Sequence, residues 1–129
     1  MATVGEIMSR NLLTVDPTTL LADAALRMHE RGVGAALVLS GDTVSGILTE
    51  RDVLRAVATG PVENTKVAAW MTRDPETVDA TEATGRAAAL MIHGGFRHLP
   101  VIEGERPIGI VSIRDLMRIT MDDESPRGA

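Results

Sequence analysis

The sequence predicts an α+β fold in which two pseudo-symmetric βαββα repeats pack together as one body. Three observations predict it. Shifting the chain by 63 residues lays Val4–Arg55 on Val67–Arg118 without a gap, with about a third of the positions identical. Each copy holds short apolar runs bounded by turn residues, alternating with one-sided apolar stripes. The 129 residues are 44% hydrophobic and 24% charged, ordinary values for a chain that buries a core.

The identities fall in blocks: Met8 on Met71, Thr14-Val15-Asp16 on Thr77-Val78-Asp79, Ala24-Ala25 on Ala87-Ala88, Met28 on Met91, and Gly32 on Gly95. Val38 on Val101, Gly46-Ile47 on Gly109-Ile110, and Arg51-Asp52 on Arg114-Asp115 follow.

A short strand ends each opening stretch at Thr14-Val15 or Thr77-Val78, and turn or cap residues follow (Asp16-Pro17-Thr18; Asp79-Ala80-Thr81). Next comes an amphipathic helix whose buried stripe is Leu21, Ala24, Ala25, Met28 in the first copy and Ala87, Ala88, Met91 in the second. Gly32 and Gly94-Gly95 stop those helices, since glycine accepts the left-handed conformation at a C-terminus. Two strands follow in each copy, Ala35–Ser40 with Thr43–Thr49 and His98–Glu103 with Arg106–Ser112, turning at Gly41-Asp42 and Gly104-Glu105. A last helix runs from Glu50 to about Ala58, or from Ile113 to about Thr120. The repeats are therefore placed at 4–60 and 65–120, with 121–129 expected to be a disordered tail. A unit of about 60 residues is marginal alone, so the copies are expected to pack against each other.

Thirteen basic and 18 acidic residues leave a net charge of −5, which argues against a phosphate-backbone partner. One Phe, one Trp and no Tyr remove the stacking platforms that single-stranded nucleic acid uses. The absence of Cys excludes disulfides and thiol chemistry. No apolar run approaches the roughly 20 residues of a membrane span, and Met1–Glu6 lacks the look of a signal peptide. The expectation is a cytoplasmic protein with no nucleic-acid and no membrane partner.

The segments that could carry chemistry are Gly46-Ile47-Leu48-Thr49-Glu50-Arg51-Asp52 and Gly109-Ile110-Val111-Ser112-Ile113-Arg114-Asp115, each a strand entering a helix. Thr49 and Ser112 are N-cap residue types, and an acid three positions on makes a capping box. The same place offers amide N–H groups and the positive end of a helix dipole to an anion. Arg51 and Arg114 oppose that dipole, which suggests an anionic partner, and Asp52 and Asp115 suit a ribose diol. Cap and anion site both stand at this point. Gly32-Val33-Gly34 does not open a dinucleotide fold, because it follows a helix and precedes a strand. His29, His93 and His98 form no tight cluster with carboxylates, so no metal site is expected. Met8, Met28, Met71, Met91 and Met117 read as core filler, and Trp70, matched by Ile7, as a packing residue.

The duplicated unit, both Gly-x-x-Thr/Ser-x-x-Asp segments and Arg97-His98-Leu99-Pro100-Val101 together resemble a tandem pair of CBS domains, the regulatory modules named after cystathionine β-synthase. The resemblance covers residues 4–119 and is closest to proteins made of one CBS pair alone. It implies two clefts between the repeats that take adenosine compounds: AMP, ADP or ATP, and in some members NAD or S-adenosylmethionine. In that pattern one cleft uses Thr49, Arg51 and Asp52 with Thr77, Arg97 and His98. The other uses Ser112, Arg114 and Asp115 with Thr14 and the Gly34-Ala35-Ala36 stretch. The first copy has Gly34-Ala35 where the second has Arg97-His98, so the cleft with Arg97 is expected to prefer the more phosphorylated ligand.

The implied function is a sensor that binds an adenine nucleotide as regulatory ligand, requires no cofactor, is no enzyme, and signals to a protein target in trans. The alternative is a structural or interaction scaffold without a nucleotide. Apolar helix faces around Val53-Leu54-Val57 and Leu116-Met117 predict a homodimer.

Overall fold

The computed structural model describes the backbone of residues 2–124 and the side chains of residues 2–119. The elements run α1 (Val4–Ile7), β1 (Thr14–Val15), α2 (Leu21–Arg31), β2 (Ala35–Ser40), β3 (Thr43–Thr49) and α3 (Glu50–Thr59). After a 3₁₀ turn at Val67–Ala69 come β4 (Thr72–Arg73), β5 (Val78–Asp79), α4 (Thr84–Gly94), β6 (His98–Glu103), β7 (Arg106–Ser112) and α5 (Ile113–Glu124). The mixed α+β composition and the four long strands are as the sequence predicts. The hairpins turn where Gly41 and Gly104 hold φ of 64° and 65°, a region L-residues with a Cβ avoid.

The chain divides into two compact units, the first built from Asn11–Pro75 with Glu105–Pro107, the second from Met1–Arg10, Glu76–Gly104 and Ile108–Ala129. In the first, the sheet order is β1-β2-β3-β4. β1 lies parallel to β2 with Thr14 opposite Leu37, and β2 antiparallel to β3 with Ala35 opposite Thr49. Ala35, Ala36, Leu37 and Val38 are all buried, as a central strand covered on both faces requires. Leu21, Ala24 and Met28 of α2 join Val15, Val38, Leu48 and Ala56 in the core, while Ala25 is half-buried. Gly32 ends α2 with φ 67°.

The second unit repeats the plan with order β5-β6-β7. Val78 and Asp79 of β5 lie opposite Val101 and Ile102 of β6. Its core holds Val78, Ala87, Met91, Leu99, Val101, Val111 and Leu116. The turn after β5 is tied by Asp79, whose Oδ1 accepts from the Thr81 amide at 2.9 Å and hydroxyl at 2.8 Å. Those two bonds hold the Asp79 carboxyl below its usual range.

Neither α2 nor α4 starts on a polar cap: their N-caps are Leu20 and Ala83. Asp16, Pro17 and Thr18 form a turn instead, and the helix-start amides find backbone acceptors far away in the chain. The amide of Leu21 donates to the Thr65 carbonyl (2.8 Å), and that of Thr84 to the Ala2 carbonyl (3.2 Å). The opening segment of each sequence copy thus packs in the unit formed by the strands and helices of the other copy. Val4 and Met8 complete the second core, and Val67 and Met71 the first. Thr72-Arg73 forms β4 on the edge of β3, and Ser9 bridges Ile110 in the equivalent place.

Gly46 and Gly109, identical across the copies, make room for these segments. A Cβ at Gly46 would stand 2.8 Å from Met71 Sδ and 2.9 Å from the Thr72 carbonyl; at Gly109, 2.9 Å from the Ser9 carbonyl. The methionine can swing away, but the backbone oxygen cannot. Gly46→Ala is therefore expected to cost about 1–3 kcal/mol, a fall of several degrees in melting temperature by calorimetry; an unchanged midpoint would refute the packing argument.

Three boundaries differ from expectation. β5 begins at Val78, leaving Thr77 just ahead of it; α3 runs to Thr59; and α5 continues to Glu124, four residues past the expected stop, so residues 121–124 of the expected tail are helical. The remainder, 125–129, lies outside the described residues. Leu116 belongs to the second core, and Val53 packs half-buried on the first, so neither lies on the apolar outer faces expected of them. Leu54 (70% exposed), Val57 and Met117 do, since the helical period turns them away from the cores.

Candidate functional site

The β3–α3 junction builds its geometry from residues three apart. Thr49 leaves the sheet with extended φ and ψ and becomes the N-cap of α3. Its amide donates to Asp52 Oδ2 at 2.9 Å and its hydroxyl to the same oxygen at 3.1 Å, while the Asp52 amide reaches back to Thr49 Oγ1 at 3.4 Å. The Glu50 amide donates to the Gly34 carbonyl at 3.1 Å. This is a closed capping box, and it engages two of the first-turn amides that an anion would otherwise use.

The β7–α5 junction has the same construction. Ser112 donates its amide to Asp115 Oδ2 at 2.9 Å, the Asp115 amide donates to Ser112 Oγ at 3.1 Å, and the Ile113 amide to the Arg97 carbonyl at 2.9 Å. The two junctions differ in burial. Asp52 is only 5% exposed and is the buried charged side chain of the chain's described residues, whereas Asp115 is half-buried. The buried Asp52 carboxylate is held by two donors, the amide and the hydroxyl of Thr49, which offset the cost of burying a polar group.

The site residues expected from sequence are distributed over both units. Thr14, Ala35, Thr49, Arg51 and Asp52 belong to the first; Thr77, Arg97, His98, Ser112, Arg114 and Asp115 belong to the second. In the first unit Ala35 is buried directly across from Thr49, Thr14 is exposed on β1, and Arg51 is exposed on α3. In the second, Arg97 and Arg114 are exposed, and Thr77 and His98 are half-buried at the starts of β5 and β6. Among the described residues no group of three His, Asp or Glu is placed to hold a metal ion. None of the described helices is long and apolar enough to cross a membrane.

Two residues near Asp52 escaped the sequence reading as functional candidates. Arg55, one helical turn on, brings Nη1 to 4.0 Å from Asp52 Oδ1, the oxygen with no part in the cap. Its guanidinium carbon also lies 5.9 Å from the centroid of the Trp70 ring, which packs on the first core. The signal available was the identity of Arg55 with Arg118, three residues after the matched aspartates; it pointed to the position but not to the tryptophan.

The chain as a whole is similar to known proteins. A family model described as CBS domain matches residues 4–59 and again 67–122. The CBS domain-containing protein YhcV of Bacillus subtilis is 31% identical over 130 residues, all of this chain and 93% of its own length. Among solved structures, a protein with CBS domains from Burkholderia ambifaria superposes with a TM-score of 0.89 at 34% identity, covering 99% of this chain and 100% of that one. CBSX2, solved in complex with AMP, superposes with a TM-score of 0.80 at 26% identity, covering 96% of this chain and 99% of that one.

Proposed function

Because the chain belongs to the CBS-domain family, matched over both of its copies, we propose that it is a regulatory sensor that binds an adenosine-containing ligand, AMP, ADP or ATP, and signals to a protein target in trans. The observation that carries the reading is the twice-built Thr/Ser-x-x-Asp box: in each unit a carboxylate is fixed at a helix start with its second oxygen outside the cap. That oxygen is an acceptor suited to a ribose hydroxyl pair. Binding of AMP by a structural relative at 26% identity supports the ligand class. In this reading Thr49, Arg51 and Asp52 work with Thr77, Arg97 and His98, and Ser112, Arg114 and Asp115 with Thr14 and Ala35. The protein acts in the cytoplasm as a homodimer formed through its exposed helix positions, Leu54, Val57 and Met117.

A second reading has its own observation. Each aspartate is already used by its own helix cap, so the boxes also suit a scaffold that holds no nucleotide. A thermal-shift series against AMP, ADP, ATP, NAD, S-adenosylmethionine and GTP separates the two. Ligand at about 100 times its dissociation constant adds near 2.7 kcal/mol, several degrees for a chain of this size. No shift with any of the six, and no nucleotide carried through purification by mass spectrometry, would leave the scaffold. Arg97→Ala is expected to weaken ATP about tenfold while leaving adenosine unchanged; equal losses would remove Arg97 from the phosphate end.

A further inference from the structure

The two capping aspartates are not equally furnished. Asp52 is buried, and its Oδ2 is fully engaged by Thr49. Its Oδ1 faces Arg55 Nη1 at 4.0 Å. The same guanidinium lies over the Trp70 ring, 5.9 Å from the centroid, within the range of a cation–π contact. Arg55 is otherwise a long, 65% exposed side chain, free to sample many rotamers; an aspartate at its tip and an aromatic face at its flank together define where it sits. In the other copy Arg118 follows Asp115 with identical spacing, but Ile7 stands where the first unit has Trp70. Among the described residues no ion pair joins Arg118 to Asp115. One aspartate thus has an arginine anchored on an aromatic ring.

We propose that Arg55 is a positioning residue for Asp52, linking the carboxylate oxygen left over from the helix cap to the Trp70 ring through its guanidinium, so that a ribose diol taken by Asp52 is reported at Trp70. The assignment rests on the nucleotide-sensor reading for its ligand, though the Asp52–Arg55–Trp70 link itself does not. A carboxylate oxygen can accept from more than one donor, so a diol donating to Oδ1 shares that oxygen with the guanidinium, and the pose of Arg55 over the indole shifts as it does so. The flat guanidinium can face a carboxylate with its edge and an aromatic ring with its plane, which an ammonium cannot.

Trp70 is the chain's one tryptophan and there is no tyrosine, so its emission reports this place alone. In the free protein, Asp52→Asn and Arg55→Ala are each expected to change that emission, and the double variant to change it no further than Arg55→Ala does; additive changes would overturn the link. The ligand half is read with AMP, binding followed by calorimetry and Trp70 by emission. Wild type is expected to respond in both. Arg55→Ala should bind AMP about fivefold more weakly and lose the emission response, Arg118→Ala should keep that response, and Arg55→Lys should recover most of the affinity without the wild-type emission. Undiminished AMP binding and response in Arg55→Ala would overturn the proposal and leave the sensor reading standing. If wild type binds no AMP, the ligand half falls with that reading, and the free-protein comparison alone decides the link.

Discussion

Removing residues 2–10 is expected to unfold the second unit ahead of the first, although the deletion falls in the first sequence copy. Val4 is fully buried and Met8 nearly so, both in the core formed with Val78, Leu99, Val101 and Val111. Burial of two such side chains is worth about 3–6 kcal/mol. The deletion also takes away the amide of Val4 bonded to the Glu82 carbonyl, that of Gly5 bonded to Ala80, and the reciprocal pair between Ser9 and Ile110. Against a total stability of about 5–15 kcal/mol for an ordinary domain, that loss is severe. Hydrogen exchange read by mass spectrometry is the measurement: amides of β6 and β7 should lose protection while those of β2 and β3 keep theirs. Earlier loss in β2 and β3 would refute the crossing of the segments. Met8→Ala is the milder version, with an expected cost of about 2–5 kcal/mol felt first in the same strands.

Asp52→Ala is expected to do two separable things. It removes the acceptor of the Thr49 amide and hydroxyl, so free protein should lose about 0.5–2 kcal/mol of stability through the α3 cap. It should also cancel the rise in melting temperature that AMP gives at the site carrying Asp52, which at high saturation amounts to about 2.7 kcal/mol. Asp52→Asn divides the effects. The amide oxygen still accepts from Thr49, so the free protein should melt close to wild type, but the remaining group is an NH₂ donor where a diol needs an acceptor. Melting curves of both variants with and without AMP decide the matter. If Asp52→Asn keeps the full AMP response, the carboxylate is a cap and not a ligand holder. Asp115→Ala, made alongside, identifies which of the two junctions carries the response.

The elements legible in the sequence are those whose cause is local. Gly41 and Gly104 set the hairpins because their φ is positive, and Gly32 and Gly95 stop helices for the same reason. The α2 stripe of Leu21, Ala24 and Met28 follows from helical spacing alone. The short pieces were not legible. Val4–Ile7, Val67–Ala69 and Thr72–Arg73 are too brief to show a period, and their placement comes from partners about 70–100 or 20–50 residues away in the chain. Self-alignment is also blind to the crossing: Met8 and Met71 match each other equally well whichever core each one enters. A trace was present, since each copy sets a glycine (Gly46, Gly109) in a strand of otherwise bulky residues, and such a glycine marks the close approach of another backbone.

The site follows the same division. The Thr49–Asp52 and Ser112–Asp115 boxes could be read from spacing, because a helix N-terminus is built by residues three apart. The deep burial of Asp52 relative to Asp115 could not, for it depends on how α3 settles on its sheet. Arg55 is illegible for a related reason: its partners are a residue on its own helix and one directly after the 3₁₀ turn at Val67–Ala69, and that second partner is brought near only by the fold.

The crossing of the opening segments sets a rule for inheritance. What repeats along the gene and what closes a core are out of phase by one segment. A single copy cut at its repeat boundary would carry Val4 and Met8 with no core of its own to receive them, and a core lacking Val67 and Met71. Such a fragment is left with an unfilled core and an unpacked apolar segment. The smallest cassette that can be spliced into a longer polypeptide, or duplicated within one, is therefore the pair, and a recombination point between the copies breaks both halves at once.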